Sequence, residues 1–83
     1  MIKGIYSVQD LKSGFDNVFC CVNDHVAIRD FQSYLTTESI ISQHPEDFRL
    51  CKLAELDTIS GTVVSYKENI KVLYDASSFF REV

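Results

Sequence analysis

Apolar and polar side chains alternate along the first stretch of the chain. Ile2, Gly4, Tyr6 and Val8 fall on one side and Lys3, Ser7 and Gln9 on the other, the two-residue period of a half-buried strand over Ile2 to Asp10. Leu11 to Asp16, with Ser13 and Gly14 inside it, reads as a hairpin loop. Val18-Phe19-Cys20-Cys21-Val22 is a continuous apolar run, which predicts a central strand covered on both faces. The period changes at Asn23 and Asp24, either of which caps a helix by accepting a bond from a first-turn N–H. Ala27, Ile28, Phe31 and Leu35 then recur at helical spacing, with Arg29, Asp30 and Gln32 turned outward, and predict a helix over Asp24 to Leu35.

Thr36 to Ser39 ends that helix, and Ile40 to Gln43 adds a further helical turn. Pro45 fixes its own φ and pushes His44 out of the helical region, so His44 to Asp47 is a turn. Phe48 to Leu56 predicts a third strand, Asp57 to Gly61 a reversal, and Thr62 to Lys67 a fourth strand rich in Thr, Val and Tyr. The end of the chain, Glu68 to Val83, is open to two readings. Ile70 to Tyr74 suits a strand, whereas Asp75 to Phe80 suits a capped helical turn. The fold class expected is α+β: a small antiparallel sheet of about four to five strands in β-β-α-β-β order, covered by one main helix. Residues 1–83 form one domain, with 68–83 as a C-terminal extension.

The length of 83 residues limits what such a domain can do. It buries only roughly 60–65% of the surface its unfolded form exposes, enough for one core but not for a core and a deep pocket. Binding at the surface is the expected mode of action. Eight Lys and Arg stand against twelve Asp and Glu, a net charge of −4, so the mean field does not attract phosphate. Any nucleic-acid site must gather its cations locally.

The cysteines are Cys20, Cys21 and Cys51, an odd number with two adjacent. Neighbours on a strand point to opposite faces, so the expectation is free thiols, packed in the core, in a reducing compartment. No apolar run approaches the ~18 residues of a membrane span, and MIKGIYSVQD lacks the apolar core of a signal peptide. The expected location is the cytoplasm of the cell that makes the protein.

Little in the sequence carries catalysis. His25 and His44 have no cysteine partners at zinc spacing, and Glu46 and Asp47 read as turn chemistry rather than an acid–base pair. A thiol on a buried strand has a raised pKa, which argues against Cys20 or Cys21 as a nucleophile. No phosphate-cradling glycine loop and no metalloprotease motif occurs. Neither an enzyme, nor a metal, nor a cofactor is expected.

Surface chemistry is more informative. Strict alternation on the third strand puts Arg49, Cys51, Leu53 and Glu55 on one face, and Phe48, Leu50, Lys52, Ala54 and Leu56 on the other. Tyr6, Tyr66 and Tyr74 interleave with Lys3, Arg49, Lys52, Lys67 and Lys71. Aromatic rings and cations on one sheet face suit single-stranded nucleic acid, because bases stack on rings and cations follow phosphates. The candidate nucleic-acid-binding residues are Tyr6, Arg49, Lys52, Tyr66, Lys67 and Lys71.

Three short segments carry a resemblance. They are Ile5-Tyr6-Ser7-Val8-x-Asp10, then Asn23-Asp24 with Ala27-x-Arg29-x-Phe31, then His44-Pro45-Glu46-Asp47-Phe48-x-Leu50 with Glu55-Leu56-Asp57 and Gly61. In order and spacing they resemble the small nonstructural protein of gokushovirus-type microviruses, phages with circular single-stranded DNA genomes. The resemblance runs from Ile2 to Gly61, and departs at Cys51, where an aromatic is usual, and at Ala54, where glycine is usual. It implies a non-virion protein that binds single-stranded DNA in genome replication, or in the switch to single-strand synthesis and packaging, within the host cytoplasm. The acidic balance favours a rival: an interaction module that recruits a phage or host replication or packaging protein without touching DNA.

Assembly is the last expectation. A sheet with one covering helix leaves a face and two edges partly open, and Phe15, Ile40, Ile41, Phe79 and Phe80 lie outside the main core elements. A two-fold homodimer is the commonest solution, with Phe79-Phe80 packing across it.

Overall fold

A computed structural model describes residues 1–81; the last two positions of the ambiguous C-terminal stretch lie outside them. The elements are β1 (Ile2–Asp10), β2 (Gly14–Cys21), α1 (Asp24–Leu35), α2 (Ile40–Gln43), a 3-10 turn at Pro45–Asp47, β3 (Phe48–Asp57), β4 (Val63–Ser65), β5 (Lys71–Asp75) and α3 (Ala76–Arg81). All strands join one antiparallel sheet in the order β2-β1-β3-β4, and β5 also pairs with β3. The long β3 therefore holds two short strands along one edge. Its Ala54–Leu56 end pairs with β4 and its Arg49–Lys52 end with β5. The α+β class, the antiparallel sheet and its main helix are as the sequence predicts.

α1 starts where its chemistry starts. Asn23 is the cap, and its Oδ1 accepts the Val26 N–H at 2.9 Å, a bond worth about 1 kcal/mol. Ala27, Phe31 and Leu35 then bury one stripe against the sheet. They join Tyr6, Cys21, Phe48, Leu50 and Ala76 in one cluster, edged by Val8, Phe19, Ile41, Leu73, Tyr74 and Phe79. Side chains as buried as Phe31 and Leu50 contribute roughly 1.5–3 kcal/mol each. α2 is held by a reciprocal cap between Ser39 and Ser42.

Paired residues share a face, so the register sorts the sheet. Gly4, Tyr6 and Val8 face the helices with Glu55, Lys52 and Leu50. Ile5, Ser7 and Gln9 point the other way with Ala54, Cys51 and Arg49. β2 adds Phe15, Val18 and Cys20 to this second face, and β5 adds Val72 and Asp75. The buried residues of the helices all belong to the cluster on the first face.

Four expectations are corrected here. The hairpin loop is shorter than Leu11 to Asp16, because pairing resumes at Gly14 opposite Asp10. β2 is an edge strand rather than a central one: its apolar run has Phe19 and Cys21 towards the core, while Val18 and Cys20 are exposed. Thus Cys20 is not a core thiol. Strict alternation fails on β3, where the register shifts between Ile5 and Tyr6; Leu53 is the extra residue of a bulge, and Glu55 moves to the face of Lys52 while Ala54 joins Arg49. Finally, β4 covers only Val63–Ser65 of the stretch expected from Thr62 to Lys67. The two readings of the C-terminal stretch are both realised, one after the other, as β5 and α3.

Candidate nucleic-acid interface

The site grows from a close approach. Gly4 lies under the Tyr6 ring, and a Cβ at Gly4 would overlap that ring. Glycine lets the ring lie flat along its own strand, stacked on Phe19 with centroids 5.7 Å apart. Tyr6 is wholly buried, and its hydroxyl donates to Asp24 Oδ1 at 2.7 Å. The first turn of α1 is thereby tied to the sheet. Lys52 Nζ sits 3.1 Å from the same carboxylate oxygen and 5.9 Å from the Tyr6 centroid.

Tyr66 and Lys71 extend this arrangement outward. The Tyr66 hydroxyl donates to Glu55 Oε1 at 2.8 Å, a contact made possible by the β3 bulge. Lys71 pairs across from Lys52 in the sheet and holds its ammonium 5.1 Å from the Tyr66 centroid, in cation–π range. Between α1 and the sheet lies an open groove of about 400 Å³, lined by Lys3, Gly4, Tyr6, Asp24, Lys52 and Glu55 among others.

Electrostatics in the cluster follow from these contacts. Burial, and then the bond to Asp24, push the Tyr6 phenol far above its ordinary value. The Tyr6 hydroxyl, with Lys52 behind it, holds the Asp24 carboxyl below the usual range against the opposing effect of burial. Burial draws the Lys52 ammonium down, but Asp24 and Tyr66 together outweigh it and the net movement is upward. Tyr66 is raised by burial and by its bond to Glu55.

Of the six residues expected at a nucleic-acid face, four meet here: Tyr6, Lys52, Tyr66 and Lys71. Two of those four have their chemistry already engaged. Tyr6 offers no exposed ring to a base, and Lys52 is paired with Asp24. Lys67 is exposed in the turn after Tyr66, at φ +56, with its amide bonded to Ser65 Oγ at 2.9 Å. Arg49 lies on the opposite face, where its Nε donates to Gln9 Oε1 at 2.7 Å. The residues that sequence reasoning missed are the acids. Asp24 reads as a cap in the sequence, and Glu55 reads as facing away until the bulge turns it.

Other chemistry is sparse. Among the described residues, His44, Glu46 and Asp47 bring ligand atoms within 4.8 Å of one another. His44 and Glu46 are exposed, and Lys12 lies 3.7 Å from Asp47, so the group is a solvated turn. Cys21 and Cys51 are buried, and burial raises both thiols. Among the described residues no helix is long and apolar enough to cross a membrane.

The family described as Phage ORF5 protein matches residues 3–79. The chain belongs to that family. This makes it a bacteriophage protein, and the match reaches past Gly61 to include Tyr66, Lys71 and most of α3. No curated protein and no solved structure matches the chain.

Proposed function

We propose that this phage protein is a gokushovirus-type nonstructural protein that binds single-stranded DNA at the Tyr66–Lys71 cluster, in the host cytoplasm, during genome replication or the switch to single-strand synthesis and packaging. It acts by binding and not by catalysis. One observation carries the reading: three separate segments bring Tyr66, Lys52 and Lys71 to one place in a chain that is otherwise acidic. A base stacks on the Tyr66 ring, worth about 1–3 kcal/mol, as Lys71 turns from the ring to the phosphate. Lys67 is the second cation free to follow the backbone, while Lys52 stays with Asp24.

The affinity is therefore modest and its salt dependence shallow. Two phosphate contacts give a slope of log K on log salt of roughly −1 to −2. Fluorescence anisotropy with labelled oligo-dT tests this. Binding in the micromolar range at low salt, weakened by Tyr66→Ala and by Lys71→Ala but not by Arg49→Ala, is expected. No binding at high micromolar protein overturns it.

A second reading has its own observation. Phe19, Tyr34, Ile40, Ile41 and Phe48 line a groove of about 460 Å³ whose rim carries Asp10 and Asp16. Such a groove suits an apolar side chain from a basic segment of a replication or packaging protein. If oligo-dT does not bind, this interaction module takes first place.

A further inference from the structure

We infer that the second face of the sheet is the contact between two copies of this chain, packed sheet against sheet. The inference is independent of the DNA reading, whose residues lie on the helix side. The register puts Phe15, Val18, Cys20, Ile5, Ala54 and Val72 on this face. Phe15 is 45% exposed, Val18 65% and Val72 48%, high values for side chains on strands. With Val63 of β4 and its half-buried partner Leu56 of β3, which the register puts on the same side, the exposed apolar area is on the order of 500 Å², at the upper end of what a monomer leaves open. Two copies would bury about 1,000 Å² of apolar surface before any polar rim is counted, which reaches the lower range of specific interfaces.

The chemistry of the face selects its occupant. Its centre is small and uncharged: Ser7 and Cys51 are fully buried between their neighbours, and Ser7 Oγ already donates to the Asp16 carbonyl at 2.6 Å. Small central side chains let a second sheet approach to about 10 Å. The charged strand residues on the face are Lys3, at one end, and Arg49 with its cross-strand neighbour Asp75, at the other. A second copy covers such a surface without trapping an unpaired charge at its centre. A nucleic acid would find two cations at opposite ends and a carboxylate beside one of them. Pairing through the β2 edge is disfavoured, because Asn17, at φ +44, bulges that strand between Ser7 and Val8 of its partner's register.

Sedimentation equilibrium of the full chain at tens of micromolar tests the inference, with a species of about twice 9.5 kDa expected. Val18→Lys and Val72→Lys, made separately, each place an ammonium in the contact and should weaken association by more than about tenfold. Circular dichroism should stay unchanged, since both sites are exposed in the single chain. Ile40→Lys, on the helix side, should leave the dimer intact. The thiol of Cys20 gives a second readout: its reaction with a disulfide reagent should slow as protein concentration rises, and Val18→Lys should abolish that slowing. A monomer across the range overturns the inference. So does a dimer that survives both valine variants, or one that only Ile40→Lys disrupts.

Discussion

Removing one oxygen from Tyr6 tests how the helix is tied to the sheet. In Tyr6→Phe the ring keeps its place over Gly4 and its stack on Phe19, so packing is held constant. What is lost is the 2.7 Å bond to Asp24, a hydrogen bond to a charged group worth about 1.5–3 kcal/mol. Asp24 is not sealed: 41% of its side chain is exposed and Lys52 remains 3.1 Å away. Water and Lys52 therefore recover part of the loss, and the expected destabilisation is about 1–2 kcal/mol. For a chain of this size that lowers Tm by roughly 4–16 °C.

The pH profile separates this account from a simple loss of fit. The Tyr6 hydroxyl, then Lys52, depress the Asp24 carboxyl in the folded state. A depressed carboxylate contributes stability that is present above its unfolded pKa, about 3.9, and is lost as pH falls through the lower folded value. Urea titrations from pH 7 down to pH 3 should show that acid limb in the parent, and a shallower one in Tyr6→Phe. A variant within 0.5 kcal/mol of the parent, or a parallel acid limb, refutes the reasoning.

Three further outcomes follow from single contacts. Gly4→Ala forces a methyl into the Tyr6 ring and should destabilise by about 1–3 kcal/mol in urea, since overpacking here displaces a buried aromatic. In dilute native protein iodoacetamide should modify Cys20 first, with Cys21 and Cys51 protected until denaturant is added, as intact mass would report. Burial raises the thiols of Cys21 and Cys51, so the unfolded chain loses those protons first. Stability should then fall as pH rises beyond about 8.5, and a flat urea midpoint from pH 7 to pH 10 would count against it.

Local patterns were legible in the sequence, and long-range geometry was not. α1 could be read because its cap and its apolar stripe are both local, with the fold choosing Asn23 over Asp24 as the cap. The run Val18 to Val22 misled for a physical reason. A strand with one face on the core and the other face apolar but open has the same composition as a strand buried on both sides. Only the fold shows that nothing helical lies over Val18 and Cys20 among the described residues. The bulge at Leu53 carries no glycine or proline to announce it, yet it decides that Glu55 meets Tyr66. Of the six residues in the aromatic and cationic pattern, the fold brings Tyr6, Lys52, Tyr66 and Lys71 together and sends Arg49 to the opposite face. The pattern could not show that Tyr6 would be sealed, because that depends on the space Gly4 leaves.

Glu55 offers the most direct test of what the Tyr66–Lys71 cluster is for. Its carboxylate accepts the Tyr66 hydroxyl at 2.8 Å, while Lys71 lies over the same ring. Take a phosphate held at Lys71 to lie on the order of 8 Å from that negative charge. At an effective dielectric between about 40 and 80, the repulsion is roughly 0.5–1 kcal/mol before salt screening. Glu55→Gln keeps an acceptor for Tyr66 and removes the charge. If the cluster receives a phosphate, affinity for oligo-dT at low salt should rise about two- to fivefold, and the gain should shrink as salt is added. If the cluster only braces the sheet where β4 and β5 meet β3, the variant should shift stability and leave binding where it was. An unchanged or weakened affinity, with the fold intact by circular dichroism, would separate the acid from any DNA site and leave Glu55, Tyr66 and Lys71 as a structural brace on the sheet.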